Sequence, residues 1–247
     1  MVDARIAVVP ARGGSKRVPG KNLRLLAGRP LLAHVVAAAV GSGLFDRVVV
    51  STDDPRIAET AREHGAEAPF IRSAGLADDV TPVSAATIDA LERVDPDGTR
   101  YAEVCQLMPN CPLVQVQDVR SSYEQFAASG AEAQVSVVRY GWQNPWWALT
   151  RGSDLRIEPL FPDALRQRSQ DLPELFCPTG AVWWGRAAAL RRAGTFHLPG
   201  RTGWEMPWER GMDVDTEDDL ALMELMHRLL EDRALRSVDE GSAPGTR

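Results

Sequence analysis

Arg5-Ile-Ala-Val-Val-Pro-Ala-Arg-Gly-Gly-Ser-Lys-Arg-Val-Pro-Gly-Lys-Asn22 changes character abruptly after its sixth residue. Arg5–Pro10 is a short, nearly continuous apolar run, the pattern of a strand buried on both faces of a parallel sheet. The loop Ala11–Asn22 follows at once. Gly13 and Gly14 let backbone N–H groups approach an anion more closely than a residue with a side chain allows. Arg12, Lys16, Arg17 and Lys21 add four cations, and Ser15 adds a hydroxyl. A triphosphate needs several such donors together. The loop is neither G-x-x-x-x-G-K-[ST] nor G-x-G-x-x-G, which disfavours P-loop and dinucleotide readings. The competing explanation is a basic surface turn. Against it stands the lysine distribution: of 28 Lys and Arg, only Lys16 and Lys21 are lysines, and both lie in this loop. A compact ammonium on a flexible stem is not interchangeable with a guanidinium.

The composition around this loop is that of an ordinary globular protein, 44% hydrophobic and 25% charged over 247 residues. A net charge of −6 argues against a general nucleic-acid binder. No apolar run approaches the roughly 20 residues of a membrane span, and the short N-terminal apolar stretch reads as a strand rather than a signal peptide. Cys105, Cys111 and Cys177 have neither disulfide-framework nor zinc spacing, and His34, His64, His197 and His227 are scattered. The expected setting is a reducing cytoplasm.

Outward from the loop, helix and strand signals alternate. Helices are expected at Pro30–Val40, with Pro at its first position, at Pro55–His64, stopped by Gly65, and at Val83–Val94 and Val116–Ser129. Strands are expected at Asp46–Ser51, Val104–Met108 and Ala133–Val138. This order predicts an α/β fold with a doubly wound, mostly parallel, Rossmann-like sheet and its ligand at the carboxyl ends of the strands. From Arg139 the character shifts: all seven tryptophans fall between Trp142 and Trp208. A segment at about 139–175 reads as an irregular or antiparallel insertion that forms a pocket wall, a subunit contact, or both. Regularity returns at Ala181–Trp184, at Met212–Val214 and in a helix from Thr216 to about Arg233. Residues 1–235 form one domain, and 236–247 have the composition of a disordered tail.

Asp213 and Asp215 are the second constellation. On an extended segment, positions i and i+2 point to one side, and converging carboxylates suit Mg²⁺, which completes its shell with water and phosphate oxygens. Helix capping explains Thr216 with Asp219 but leaves Asp213 unexplained.

The stretch Ile6–Asn22 resembles the nucleotide-binding signature of the acylneuraminate cytidylyltransferases, a family that includes CMP-sialic, pseudaminic and legionaminic acid synthetases. The resemblance continues through Phe45–Asp53, Leu76-Ala-Asp-Asp79, Arg168-Ser-Gln-Asp-Leu-Pro173, Gly180-Ala181 and Asp213-Val-Asp-Thr-Glu-Asp218, in family order. It implies the nucleotide-diphospho-sugar transferase form of the fold. It also implies CTP and an acidic sugar as substrates, Mg²⁺ as cofactor, and a homodimer built through the insertion. Arg12, Ser15, Lys16 and Lys21 would hold the CTP phosphates, with Ala11, Gly13 and Gly14 in the same loop. Asn22 would place the nucleotide or the attacking hydroxyl, and Arg72 would contact the base. Asp213 and Asp215 would hold the metal. Arg168 and Gln170 would face the acceptor, with Trp147 and Trp183 lining its pocket; Arg168 could instead pair locally with Asp171.

The chain departs from that pattern at Met108, where a Gln is common, at Asn144-Pro-Trp-Trp147, where a Lys follows a His-Pro pair, and at Trp183-Trp184, which replace an Ile-Tyr-like pair. An apolar, aromatic pocket favours a deoxygenated or N-acylated acceptor, because a buried donor without a partner is costly. Two other readings remain: a nucleotidyltransferase for a different acid, such as a phosphonate or secondary-metabolite precursor, and a nucleotide-binding relative without turnover.

Overall fold

The computed structural model describes residues 4–76 and 81–241; Ala77-Asp78-Asp79 of the sequence block named above lie outside them. In chain order the elements are β1 (Arg5–Pro10), β2 (Leu25–Leu26), β3 (Arg29–Pro30), α1 (Leu31–Ser42), β4 (Arg47–Ser51), α2 (Pro55–Glu63), α3 (Val83–Val94), β5 (Glu103–Gln106), α4 (Val116–Ser129) and β6 (Ala133–Arg139). Then come β7 (Leu149–Arg151), β8 (Ile157–Pro159), β9 (Phe176–Arg186), α5 (Ala187–Ala193), β10 (Thr202–Glu205) and α6 (Glu217–Gly241).

The main sheet has the order β10-β6-β9-β5-β1-β4. β1 lies between β4 and β5, parallel to both, and β10 is parallel to β6. β9 alone runs antiparallel, between β5 and β6. Alternation along β1 explains why its whole run is apolar. Ala7 and Val9 enter a cluster with α1 and α4 residues, while Ile6 and Val8 enter a second cluster with α3 and α5 residues. α1 is buried on most of its surface, Leu31 through Ala39, and packs against α4 and α2.

Several boundaries differ from the sequence expectation, for local reasons. Pro30 pairs with Leu25 in the β2–β3 hairpin, so α1 starts at Leu31. Met212–Val214 is not a strand; Val214 N–H donates to the Asn110 carbonyl at 2.8 Å without joining the sheet. β9 extends from Phe176, well before Ala181, with a register shift between Val135 and Val137 that accommodates Pro178 and Gly180. α6 continues past Arg233 to Gly241, so residues 236–241 of the expected tail are helical. Among the described residues no helix is long and apolar enough to cross a membrane.

The reversal of β9 matters for the site. β6 ends at the edge where β9 begins, so the 139–175 insertion, with its β7–β8 hairpin, lies at the carboxyl edge of the parallel strands. The loops after β1, β4 and β5 end at the same edge, and the segment after β10 returns to it.

That return is fixed by Asp118. Its carboxylate accepts from Arg210 Nε and Nη2 at 2.9 and 2.8 Å and from the Gln115 backbone N–H at 2.9 Å, as part of a capping box. The Asp118 side chain is 2% exposed. Breaking a buried pair leaves an uncompensated charge, so Asp118→Ala is expected to lower unfolding free energy by about 3 kcal/mol, read from urea denaturation. A loss under about 1 kcal/mol would show that the pair is not holding the segment.

Candidate active site

The loop after β1 is ordered by its own packing. Val18 is fully buried, and Gly20 takes the left-handed backbone (φ 64°) that starts a single 3₁₀ turn, Lys21–Leu23. Asn22 is buried and donates its side-chain N–H to the Arg12 carbonyl at 2.8 Å. Its amide thus staples the loop together. Gly13 N–H donates to Asp53 Oδ1 at 2.8 Å, and a Cβ at Gly13 would sit 2.8 Å from Asp54 Cβ. The glycine is required there by a close approach to the end of β4. Ala11 is fully buried and donates its N–H to the Ser51 carbonyl.

Lys21 reaches across the cleft to the segment before α6. Its Nζ donates to the Val214 carbonyl at 2.8 Å and to Asp215 Oδ1 at 3.1 Å. Arg17 Nη2 meets the other oxygen, Asp215 Oδ2, at 2.8 Å. Asp213 stands beside them. Its carboxyl is pushed above the usual carboxylate range, first by desolvation and then by the Asp215 charge. Asn110 Nδ2 approaches Asp213 Oδ2 at 3.4 Å, and Asn110 Oδ1 is buried with no hydrogen-bond partner. The two carboxylates are hard-oxygen donors of the kind Mg²⁺ takes. Among the described residues no group of three His, Cys, Asp or Glu forms a complete protein cage, so other ligands would have to come from water and phosphate.

Arg72 lies on the far side of the loop and is 4% exposed. Its Nη2 is 3.9 Å from Asp53 Oδ1, and its Nε is buried without a partner. Burial holds its guanidinium below the usual arginine range, while Asp53 and Asp89 oppose that shift. Asp53 therefore stands between Gly13 of the loop and Arg72.

The expected acceptor side is less assembled. Arg168 forms a two-point ion pair with Asp171, at 2.8 and 3.2 Å, and its side chain is 74% exposed. This is the local pairing that the sequence left open. Gln170 lines a cavity of about 320 Å³ with Arg139, Tyr140, Asn144 and Ser169. Trp147 is partly exposed on the 3₁₀ turn Pro145–Trp147. Trp183 does not face this region. It is buried against Phe196 and His197, and its indole N–H donates to the Thr179 carbonyl. Neighbouring side chains on a strand point to opposite faces, so Trp184 enters the other core, stacking on Phe45 and Phe126. Trp204 is also buried. These three tryptophans are core residues. Met108 packs against Gly180, where a Cβ would lie 2.7 Å from Met108 Cγ.

The geometry adds Asp53 and Asn110 to the sequence-selected set and gives Arg17, one of the four loop cations, a partner in Asp215. Asp53 lay inside a motif block but carried no separate signal. Asn110 becomes visible only when Val214 folds back onto it.

A solved CMP-2-keto-3-deoxy-manno-octonic acid synthetase complexed with CTP superposes with a TM-score of 0.65, covering 93% of this chain and 99% of that one at 16% identity. The two chains share their fold. A family model described as Cytidylyltransferase matches residues 6–144. Pseudaminic acid cytidylyltransferase of Campylobacter jejuni is 29% identical over 229 residues, 93% of this chain and 98% of its own. CMP-N,N'-diacetyllegionaminic acid synthase of Legionella pneumophila is 33% identical over 232 residues, 91% and 96% of the two chains. The chain belongs to the cytidylyltransferase family and is a CTP-dependent nucleotidyltransferase.

The histidines lie apart from this site. His34 contacts the Leu26 carbonyl through Nε2 at 2.9 Å and meets the His227 ring edge-on. Burial pulls His34 below its ordinary value of 6.5, helped by Arg29 and His227. The unfolded chain therefore takes up this proton at higher pH than the folded protein does. The stability His34 contributes is complete above about pH 6.5 and falls as pH drops through that value. Thermal unfolding midpoints should decline on that side, and His34→Gln should flatten the decline. Parallel curves for the two proteins would show that His34 is not the titrating group.

Proposed function

We propose that this enzyme transfers CMP from CTP to the anomeric hydroxyl of an acidic, nonulosonic acid-like sugar and releases pyrophosphate. The carrying observation is the convergence of Lys21 and Arg17 with Asp213 and Asp215 across one cleft. The names of the two bacterial relatives point to the sugar class.

In this reading the triphosphate lies between the β1 loop and the Asp213–Asp215 segment. Arg12, Ser15, Lys16 and Lys21 bind its phosphates. Arg72, buried and with an unpartnered Nε, offers a donor to the base. Asp213 and Asp215 hold Mg²⁺, and the Asn110 amide beside Asp213 positions that carboxylate. When bound, the metal neutralises charge on the phosphates and on the departing pyrophosphate. Arg168 exchanges Asp171 for the acceptor carboxylate, and Gln170 and Trp147 border the acceptor. Positioning and charge neutralisation supply the rate; no histidine of the site acts as a base.

Pyrophosphate release with Mg²⁺ and CTP is expected with pseudaminic or legionaminic acid in a panel that includes sialic and 3-deoxy-octulosonic acids. Lys21→Met should lower it by about 100-fold or more, and Asp213→Asn should abolish it. CTP binding without release for any acid would move the assignment to a different acidic acceptor, which the apolar Met108 beside Gly180 favours. It would also reopen the reading of a relative without turnover, against which the paired lysines and carboxylates stand.

We also propose a homodimer formed through the insertion. Trp142 is 87% exposed, Leu155 66% and Ile157 61%, and exposed apolar side chains within this one segment support the reading. Sedimentation should give a dimer, and Ile157→Glu with Leu155→Glu should give a folded monomer; a monomeric parent protein would refute it. Cys105, Cys111 and Cys177 are free thiols, which suits a reaction placed in the reducing cytoplasm, where CTP is available.

A further inference from the structure

Arg17 is one of four cations in the loop, yet it pairs with a carboxylate of the proposed metal pair. Asp215 has both oxygens engaged, Oδ2 by Arg17 at 2.8 Å and Oδ1 by Lys21 at 3.1 Å. A divalent cation and these two side chains therefore compete for the same oxygens. The two cations are not equivalent. Lys21 is 17% exposed and is also held by the Val214 carbonyl, so it is fixed by its surroundings. Arg17 is 65% exposed on a long stem and is the partner able to swing away. Its charge also acts on Asp219, at the start of α6.

We infer that Arg17 is a positioning residue that masks Asp215, and that a nucleotide triphosphate unmasks Asp215 by offering Arg17 phosphate oxygens instead. This rests on the metal assignment of the preceding section. Nucleotide binding then raises metal affinity not only through the phosphates' own oxygens but by freeing a protein ligand. By linkage the metal raises nucleotide affinity by the same factor. The order of assembly is built into the loop: the carboxylate pair presents its full charge to a cation only once the phosphates have drawn Arg17 off.

Manganese binding, read by electron paramagnetic resonance, tests this without turnover. In the parent protein Mn²⁺ affinity should rise on adding a non-hydrolysable CTP analogue. Arg17→Gln should bind Mn²⁺ about 1.5–5-fold more tightly than the parent without nucleotide, the range set by one partly exposed ion pair. Its gain on adding the analogue should be correspondingly smaller. Arg24→Gln removes the same charge from a neighbouring pair, Arg24 with Glu217, and should leave Mn²⁺ affinity near the parent value. Equal shifts in the two variants, or none in Arg17→Gln, would overturn the masking role. Mn²⁺ binding that persists unchanged in Asp215→Asn would overturn the metal assignment and the masking role with it. Loss of binding in Asp215→Asn with no effect of Arg17→Gln would overturn the masking role alone.

Discussion

An ammonium group taken largely out of water must find oxygen partners, and Lys21 finds them at the other end of the chain. Its contacts with Val214 and Asp215 join positions 193 and 194 residues apart in sequence. Neither contact orders the chain by itself. The geometry is set by an apolar cluster in which Leu26 and Leu31, from the start of the fold, pack with Val214, Leu220 and Met223 from its end. Burial of these side chains, worth about 1.5–3 kcal/mol each when complete, holds α6 against the β2–β3 hairpin. The carboxylate pair is thereby presented to the loop. A side chain in that cluster is thus a determinant of the site although it touches no substrate.

The single antiparallel strand has a comparable reach. With β9 inserted between β5 and β6, the chain leaves the sheet at the end of β6 and re-enters at the same edge. The insertion therefore stands beside the cleft instead of on the opposite side of the sheet. An all-parallel sheet would have needed a crossover over one face at that point. The reversal allows a short excursion that borders the site, and the Gln170 cavity lies in it.

The first half of the fold was legible because its strands are buried on both faces and their helices end on glycine, as at Gly43 and Gly130. Val83–Val94 and Val116–Ser129 match the expected bounds. β9 and β10 were harder to read for physical reasons. Pro178 and Gly180 interrupt the first, and Thr202–Glu205 is half polar with one buried tryptophan. The tryptophan cluster does not act as one unit, since clustering in sequence says nothing about which face each side chain takes. Trp183 and Trp184 are adjacent and belong to different cores. At the site, the cations and the Asp213–Asp215 pair stood out by type and spacing. Asp53 and Asn110 did not, because their roles depend on which backbone returns to meet them.

The choice of lysine at position 21, in a chain whose other cations apart from Lys16 are arginines, follows from the directions its donors must take. The three N–H bonds of an ammonium diverge from one atom, whereas a guanidinium presents its donors in a plane. Lys21 Nζ serves a backbone carbonyl and a carboxylate oxygen belonging to consecutive residues, Val214 and Asp215. Under the proposed function its third donor direction serves a phosphate oxygen in the cleft. A planar fork suits two oxygens of one carboxylate, the arrangement that Arg24 makes with Glu217 and Arg210 with Asp118. Placed at position 21, an arginine would satisfy Asp215 at the expense of the Val214 carbonyl and would carry its charge deeper into the space the phosphates need. The same electrostatic sign is therefore not enough. The site requires a point charge that can be shared three ways, and lysine alone among the side chains supplies one that stays charged near neutrality.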